Sequence, residues 1–288
     1  MSNSMEKDKL SDAINQGNEL GKLAKVLFDR ATASFYTSMF IEIVAGSLGV
    51  IIGLMEISDK SKVIFAVFGF LLLAIAYYLR IKFEAVYENA ETMRRQSVLA
   101  IGLGWKIGRI QFSDWRMFAG KKALQETEKN PLSLNYYASG EEVSPKRLLE
   151  MTQESAFWTR HLYCYLSFYV WLGFSLAILL FASVLTFSAS GYIQQGLATK
   201  IVYITYLILP LILALDILNW GFRLNRLIAS IRSIERGLET MEDEKFFDEK
   251  QILRLVFEYN CQLTQGFPIP GVFFNLYHDN IQSLWEKR

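Results

Sequence analysis

The sequence predicts an all-α membrane protein: four transmembrane helices in two hairpins with a helical cytoplasmic body. Three observations carry this. Four windows are each apolar over roughly the 20 residues a helix needs to cross a bilayer core of ~30 Å. All 30 Lys and Arg lie outside those windows. The segments around them repeat apolar residues at helical spacing. The composition agrees. Of 288 residues, 52% are hydrophobic and 14% aromatic, and the mean hydropathy is +0.20. That is high for a water-soluble domain and the opposite of low-complexity disorder.

The elements follow in order. Residues 1–35 are expected to form an N-terminal cytoplasmic helix. They open on a mixture of both charges rather than the short basic start of a cleaved signal peptide. The first hairpin, 36–79, holds the windows 36–55 and 63–79. A central cytoplasmic helical region follows at 80–165. There Ile81, Ala85, Val86, Ala90 and Met93 share a helix face, so the second span is expected to continue as a stalk. Residues 130–145 (NPLSLNYYASGEEVSP) read as a turn-rich linker. Ser144-Pro145 then reads as an N-cap with proline at the first helical position. The second hairpin, 166–222, holds the windows 166–187 and 201–222. The C-terminal cytoplasmic region, 223–288, starts with a stripe of Leu224, Leu227, Ile228, Ile231, Ile234 and Leu238, a second expected stalk. GFPIPG at 266–271 breaks this run before a final helix that includes Trp285. Helix, hairpin and helix thus occur twice, about 130 residues apart. A duplication and a coincidence of two similar hairpins both remain open.

Orientation follows from charge. Of the Lys and Arg, 27 fall in the segments 1–35, 80–165 and 223–288, and three in the loops 56–62 and 188–200. The positive-inside rule places both termini and the central region in the cytoplasm. Arg80, Lys82, Arg223 and Arg226 stand next to the spans, where they count most. The outer loops are too short to form an external domain.

Several classes of chemistry are excluded or disfavoured. A net charge of +1 does not suit a protein that coats duplex nucleic acid. Two Cys and two His supply neither a disulfide scaffold nor a tetrahedral metal site, and His161 with Cys164 has no third ligand nearby. The glycines of GLGWKIG (102–108) follow no strand and lack the dinucleotide spacing. No catalytic constellation stands out, so neither enzymatic activity nor a cofactor is expected.

Two groups of residues are candidates for function. Glu42 and Asp216 lie six residues inside the cytoplasmic ends of the first and fourth windows, each ~9 Å deep at the helical rise. Asn219 shares the face of Asp216, and Pro210 lies in the same window. Intramembrane carboxylates are costly and mark pathways or partners. Lining a cation path and a purely structural role are equally compatible with the sequence. Gly46, Gly49 and Gly53 form a small-residue face suited to hairpin or protomer packing. The second group gathers near the linker and the 266–271 break: Trp105, Trp115, Asn135, Tyr136, Tyr137, Trp158, Tyr259, Asn260 and Tyr277. Aromatics and amides can recognise a planar ring, though core packing explains them too.

Two hairpins anchored from the cytoplasm, LNYYAS at 134–139, PKRLLEMTQESAFWTRHL at 145–162, and FEYN, PIP and SLW in the tail together resemble the SMODS-associated four-transmembrane effectors of bacterial antiphage defence. The resemblance implies a multi-pass protein of the bacterial inner membrane. A separate nucleotidyltransferase would make a cyclic oligonucleotide upon infection. The effector would bind it, self-associate, permeabilise the membrane by forming a pore and abort the infection. Under this reading Trp115, Asn135, Tyr136, Tyr137 and Trp158 would contact bases, and Lys146 and Arg147 phosphates. A membrane-anchored scaffold that recruits a cytoplasmic partner, and a small constitutive cation channel, are the alternatives.

Overall fold

The computed structural model describes residues 2–54, 58–129, 137–189, 217–245 and 247–288. The described residues form seven α-helices and no strand. They are α1 (Ser2–Leu54), α2 (Asp59–Leu103), α3 (Arg109–Lys129), α4 (Pro145–Ala189), α5 (Ile217–Asp243), α6 (Glu249–Thr264) and α7 (Gly271–Glu286). Most of the fourth window, with Asp216 and Pro210, lies outside the described residues, as do Asn135 and Tyr136.

The chain divides into two compact units. Unit 1 comprises Met1–Thr32, Phe83–Cys164 and Arg226–Arg288; unit 2 comprises Ala33–Lys82 and Tyr165–Asn225. α2 runs unbroken through residues 80–103, and α5 carries the second stripe.

Unit 1 is packed as water-soluble helices are. On α1, Leu20, Leu23, Ala24 and Leu27 recur at helical spacing and meet Ala90, Met93 and Ala100 of α2 and Trp115, Ala119 and Ala123 of α3. α1 and α2 approach closely at a glycine. A Cβ on Gly17 would lie 3.0 Å from Ala100 Cβ, and the Ser97 hydroxyl donates to the Gly17 carbonyl at 2.7 Å. α2 stops at Gly104, whose φ of +67° suits glycine and reverses the chain into α3. The segment 104–108 is therefore a turn, and the expected helix is shorter than its periodicity suggested. α3 bends at Gly120, where φ is +75°.

The start of α4 follows its sequence signal. The Arg147 N–H donates to Ser144 Oγ at 3.2 Å, an N-cap ahead of Pro145. Leu148, Leu149 and Met151 then enter the core. Leu224, Leu227, Ile231, Ile234 and Leu238 of α5 are buried as the stripe predicted. Buried Glu235 joins two elements: Arg160 of α4 lies 2.6 Å from one of its oxygens and Arg288 3.0 Å from the other. Residues 266–270 separate α6 from α7, and the Tyr163 hydroxyl donates to the Phe267 carbonyl at 3.3 Å.

Among the described residues of unit 2, Phe35, Ser38, Ala45, Ala76, Ser167 and Leu224 are buried, and Trp171 lies against Gly221. The apolar side chains of α2 instead face outward: Phe70 is 71% exposed, and Val63, Ile64, Phe68 and Ile75 are similar. Two helices among the described residues are long and apolar enough to cross a membrane, over Lys60–Leu103 and Pro145–Leu179. Only 6% and 17% of their most apolar windows is buried.

Candidate ligand-binding site

A cavity of about 530 Å³ lies within unit 1. That volume is typical of a small-molecule site. Its walls come from evenly spaced turns of several helices. α1 supplies Lys22, Lys25 and Asp29, which are spaced to share one face. α2 supplies Glu91 and Arg94. α4 supplies Glu154 and Trp158, one turn apart. Tyr259 of α6, Phe274 and His278 of α7, and Tyr137 of the linker complete the aromatic side.

The rings support one another. Trp158 stacks on Phe274 at 5.6 Å between centroids and lies 5.4 Å from His278. The Tyr259 and Thr159 hydroxyls share a hydrogen bond of 2.9 Å. Such a wall offers flat apolar faces to a planar ligand.

The polar side is organised around Arg94. Its Nε and Nη2 donate to Glu91 Oε2 at 3.1 and 3.0 Å, and Nη2 also donates to Asn260 Oδ1 at 2.8 Å. Its guanidinium lies 5.8 Å from the Tyr259 ring centroid. Burial pulls the guanidinium down, but the neighbouring Glu91 outweighs this and holds it above its ordinary value. Arg94 is thus a fixed cation in the wall. Burial pushes the Glu154 carboxyl up, offset in part by the Ala138 N–H that donates to it at 2.9 Å. Asp29 is raised as well, by burial against the pull of Lys25, with a smaller push from Glu126. Glu91 is already committed to Arg94. Besides the Arg94–Glu91 pair, the cavity is lined by the cations Lys22 and Lys25 and by the carboxyls of Asp29 and Glu154, both raised by burial.

The predicted ligand residues divide. Tyr137 and Trp158 line the cavity. Trp115 does not; it packs in the α1–α2–α3 core and edges a separate open hollow. Lys146 and Arg147 are not lining residues either. The first turn of α4 directs Lys146 to Glu141 at 2.5 Å and Glu150 at 3.7 Å. Arg147 is partly buried beside it, and its Nε has no hydrogen-bond partner among the described residues. The cations that do face the cavity come from α1 and α2. One sequence signal marked Arg94: a charged pair, Glu91 and Arg94, interrupts a buried stripe of Ala90 and Met93.

In unit 2, Glu42 accepts from Arg80 Nη2 at 3.2 Å through both oxygens, and Arg80 also lies 5.0 Å from the Phe35 ring centroid. Glu42 therefore has a partner. Asn219 is exposed on α5. A Cβ on Gly49 would meet no atom of the described residues within 4 Å. The His161 imidazole is hydrogen-bonded to the Phe157 carbonyl at 2.8 Å. Among the described residues no group of three or more His, Cys, Asp or Glu is placed to hold a metal ion. No family model matches the chain, and no curated protein or solved structure is detectably similar to it.

Proposed function

We propose that this chain is a ligand-gated membrane effector. It crosses the bacterial inner membrane four times with both termini in the cytoplasm. Its helical body binds an anionic, ring-bearing cytoplasmic signal, and binding rearranges the spans so that the membrane leaks. The resemblance to the antiphage effectors points to a cyclic oligonucleotide from a separate nucleotidyltransferase.

One observation carries the reading. The cavity wall combines stacked aromatics with Lys22, Lys25 and Arg94, and α1, α2 and α4, which supply much of it, continue as the apolar segments. Rings would stack on Trp158 and Tyr137, and phosphates would meet the three cations. The signal must favour the leaky arrangement over the closed one to drive it. Glu42 is read as half of a structural ion pair with Arg80. Asp216 is kept as the candidate for a polar path, with Asn219 beside it.

The test is leakage from proteoliposomes holding the purified chain. Cyclic di- and trinucleotides are added one at a time to the face that carries the body. The expected result is dye release with at least one of them. Arg94→Ala and Trp158→Ala should each weaken the response by about tenfold or more, equivalent to ~1.4 kcal/mol of binding. Leakage without any ligand would make the protein a constitutive channel. Tight vesicles under every nucleotide would leave the scaffold reading.

A further inference from the structure

Unit 1 carries a second surface that the cavity does not use. On α3, Ile110 and Met117 are each 79% exposed and Phe118 is also exposed. With Asn89, Gln111 and Trp115 they edge an open hollow of about 800 Å³. Lys106, Arg109, Lys121 and Lys122 flank these residues in sequence, all exposed and none ion-paired among the described residues; Asp114 is the one acid lining the hollow. Exposed apolar side chains flanked by unpaired cations are not how a helix meets water alone.

An acidic counterpart lies on the same chain. Glu242, Asp243 and Glu244 end α5 in an exposed run with no ion pair among the described residues, followed by Lys245. The turn holding Lys106 and the segment after the acidic run both lie near the start of α4. Ser144 N–H donates to the Gly102 carbonyl at 3.0 Å, which ties the turn holding Lys106 to the start of α4. Lys146, two residues on, lies 6.0 Å from the Phe247 ring centroid, just past the acidic run. The apolar spacing matches as well. Met117 stands two helical turns along α3 from Arg109, about 12 Å. A Cβ on Gly237 would touch Leu255, which sets α6 antiparallel to α5. Phe257, 68% exposed, therefore lies about 12 Å along that pair from Asp243.

We infer that these two faces dock on each other between copies: the α3 face of one chain takes the α5 end and Phe257 of the next. The contact is heterologous, head to tail, which closes into a ring when the rotation allows it. This rests on the four-span reading only for placing the ring in a bilayer; the docking itself does not need a ligand site.

The test is a charge swap on the full chain in nanodiscs, read by mass photometry. Wild type should be oligomeric. Lys106→Glu with Arg109→Glu should weaken assembly by about tenfold or more. Glu242→Lys with Asp243→Lys should do the same alone, and all four changes together should restore it. Unaltered thermal melting of each variant shows that the fold is intact. As an independent check, Met117→Cys and Phe257→Cys on separately tagged chains should be bridged by a short bis-maleimide, above the background from Cys164 and Cys261. A monomeric wild type, an unaffected Lys106/Arg109 variant, or failure of the four-fold swap to recover overturns the docking. Ligand-driven leakage that survives those outcomes would leave the proposed function standing without it.

Discussion

α4 is one helix with two different patterns of exposure. Over residues 145–163 it buries Leu148, Leu149, Met151, Phe157 and Tyr163 and leaves Lys146 and Glu150 near the surface. A few turns later Phe168, Leu172, Leu176 and Leu179 are all exposed, and no polar face balances them. α2 repeats the contrast in reverse order: most side chains from Val63 to Ile81 are exposed, Ala76 being buried, whereas Ala90, Met93, Val98, Ala100 and Ile101 are buried. Helical period predicts burial only where water is the alternative. Where the surroundings are lipid, apolar residues all round cost nothing, and the stripe disappears.

Five substitutions break or sharpen that contrast, taken from the largest expected effect. Leu148→Ala removes a fully buried side chain of unit 1. It should cost ~2–5 kcal/mol of stability, seen as a clear drop in melting temperature. Phe70→Arg puts a charge on the exposed face of unit 2. In lipid it should cost ~2.5–3.5 kcal/mol and lower the membrane-integrated fraction. If that face met water, the change would cost within about 0.5 kcal/mol. Gly104→Ala forces a side chain into a left-handed turn and against Leu10. It should destabilise unit 1 by more than about 1 kcal/mol, measured by denaturation in detergent. Ser144→Ala removes the α4 cap and should cost about 1 kcal/mol by the same measurement.

Glu154→Gln should have the smallest effect, and one that depends on pH. Burial raises the folded-state pKa of this carboxyl above 4.5. The folded chain therefore holds the proton more tightly than the unfolded chain. Stability from this group is greatest in acid and declines as pH rises from about 4.5 through the raised value. Glutamine keeps an acceptor for the Ala138 N–H and does not ionise. The variant should flatten that part of the stability–pH curve, and an unchanged curve would show that Glu154 is solvated.

Much of the helical layout was legible in the residues. The stripe from Leu224 to Leu238, the Ser144 cap and the break at 266–270 are local signals, and each led to the observed element. The cavity was only half legible. Tyr137 and Trp158 stood out as aromatics near a linker, but nothing local says which helix face meets which. Lys22, Arg94, Trp158 and Phe274 are far apart in the chain and converge only through packing. Lys146 and Arg147 lie away from the cavity for the opposite reason. They are close in sequence to the aromatic linker, yet the first turn of α4 gives Lys146 to Glu141 and Glu150 instead.

The central claim is that the greasy stretches sit in a bilayer with the packed body on the cytoplasmic side. Compartment-specific reporters fused to each end test it directly: a fluorescent protein active only inside the cell, and a phosphatase active only outside. Both ends should fluoresce and neither should show phosphatase activity. Signals from opposite compartments, or a chain that purifies from the water-soluble fraction without detergent, would contradict the account.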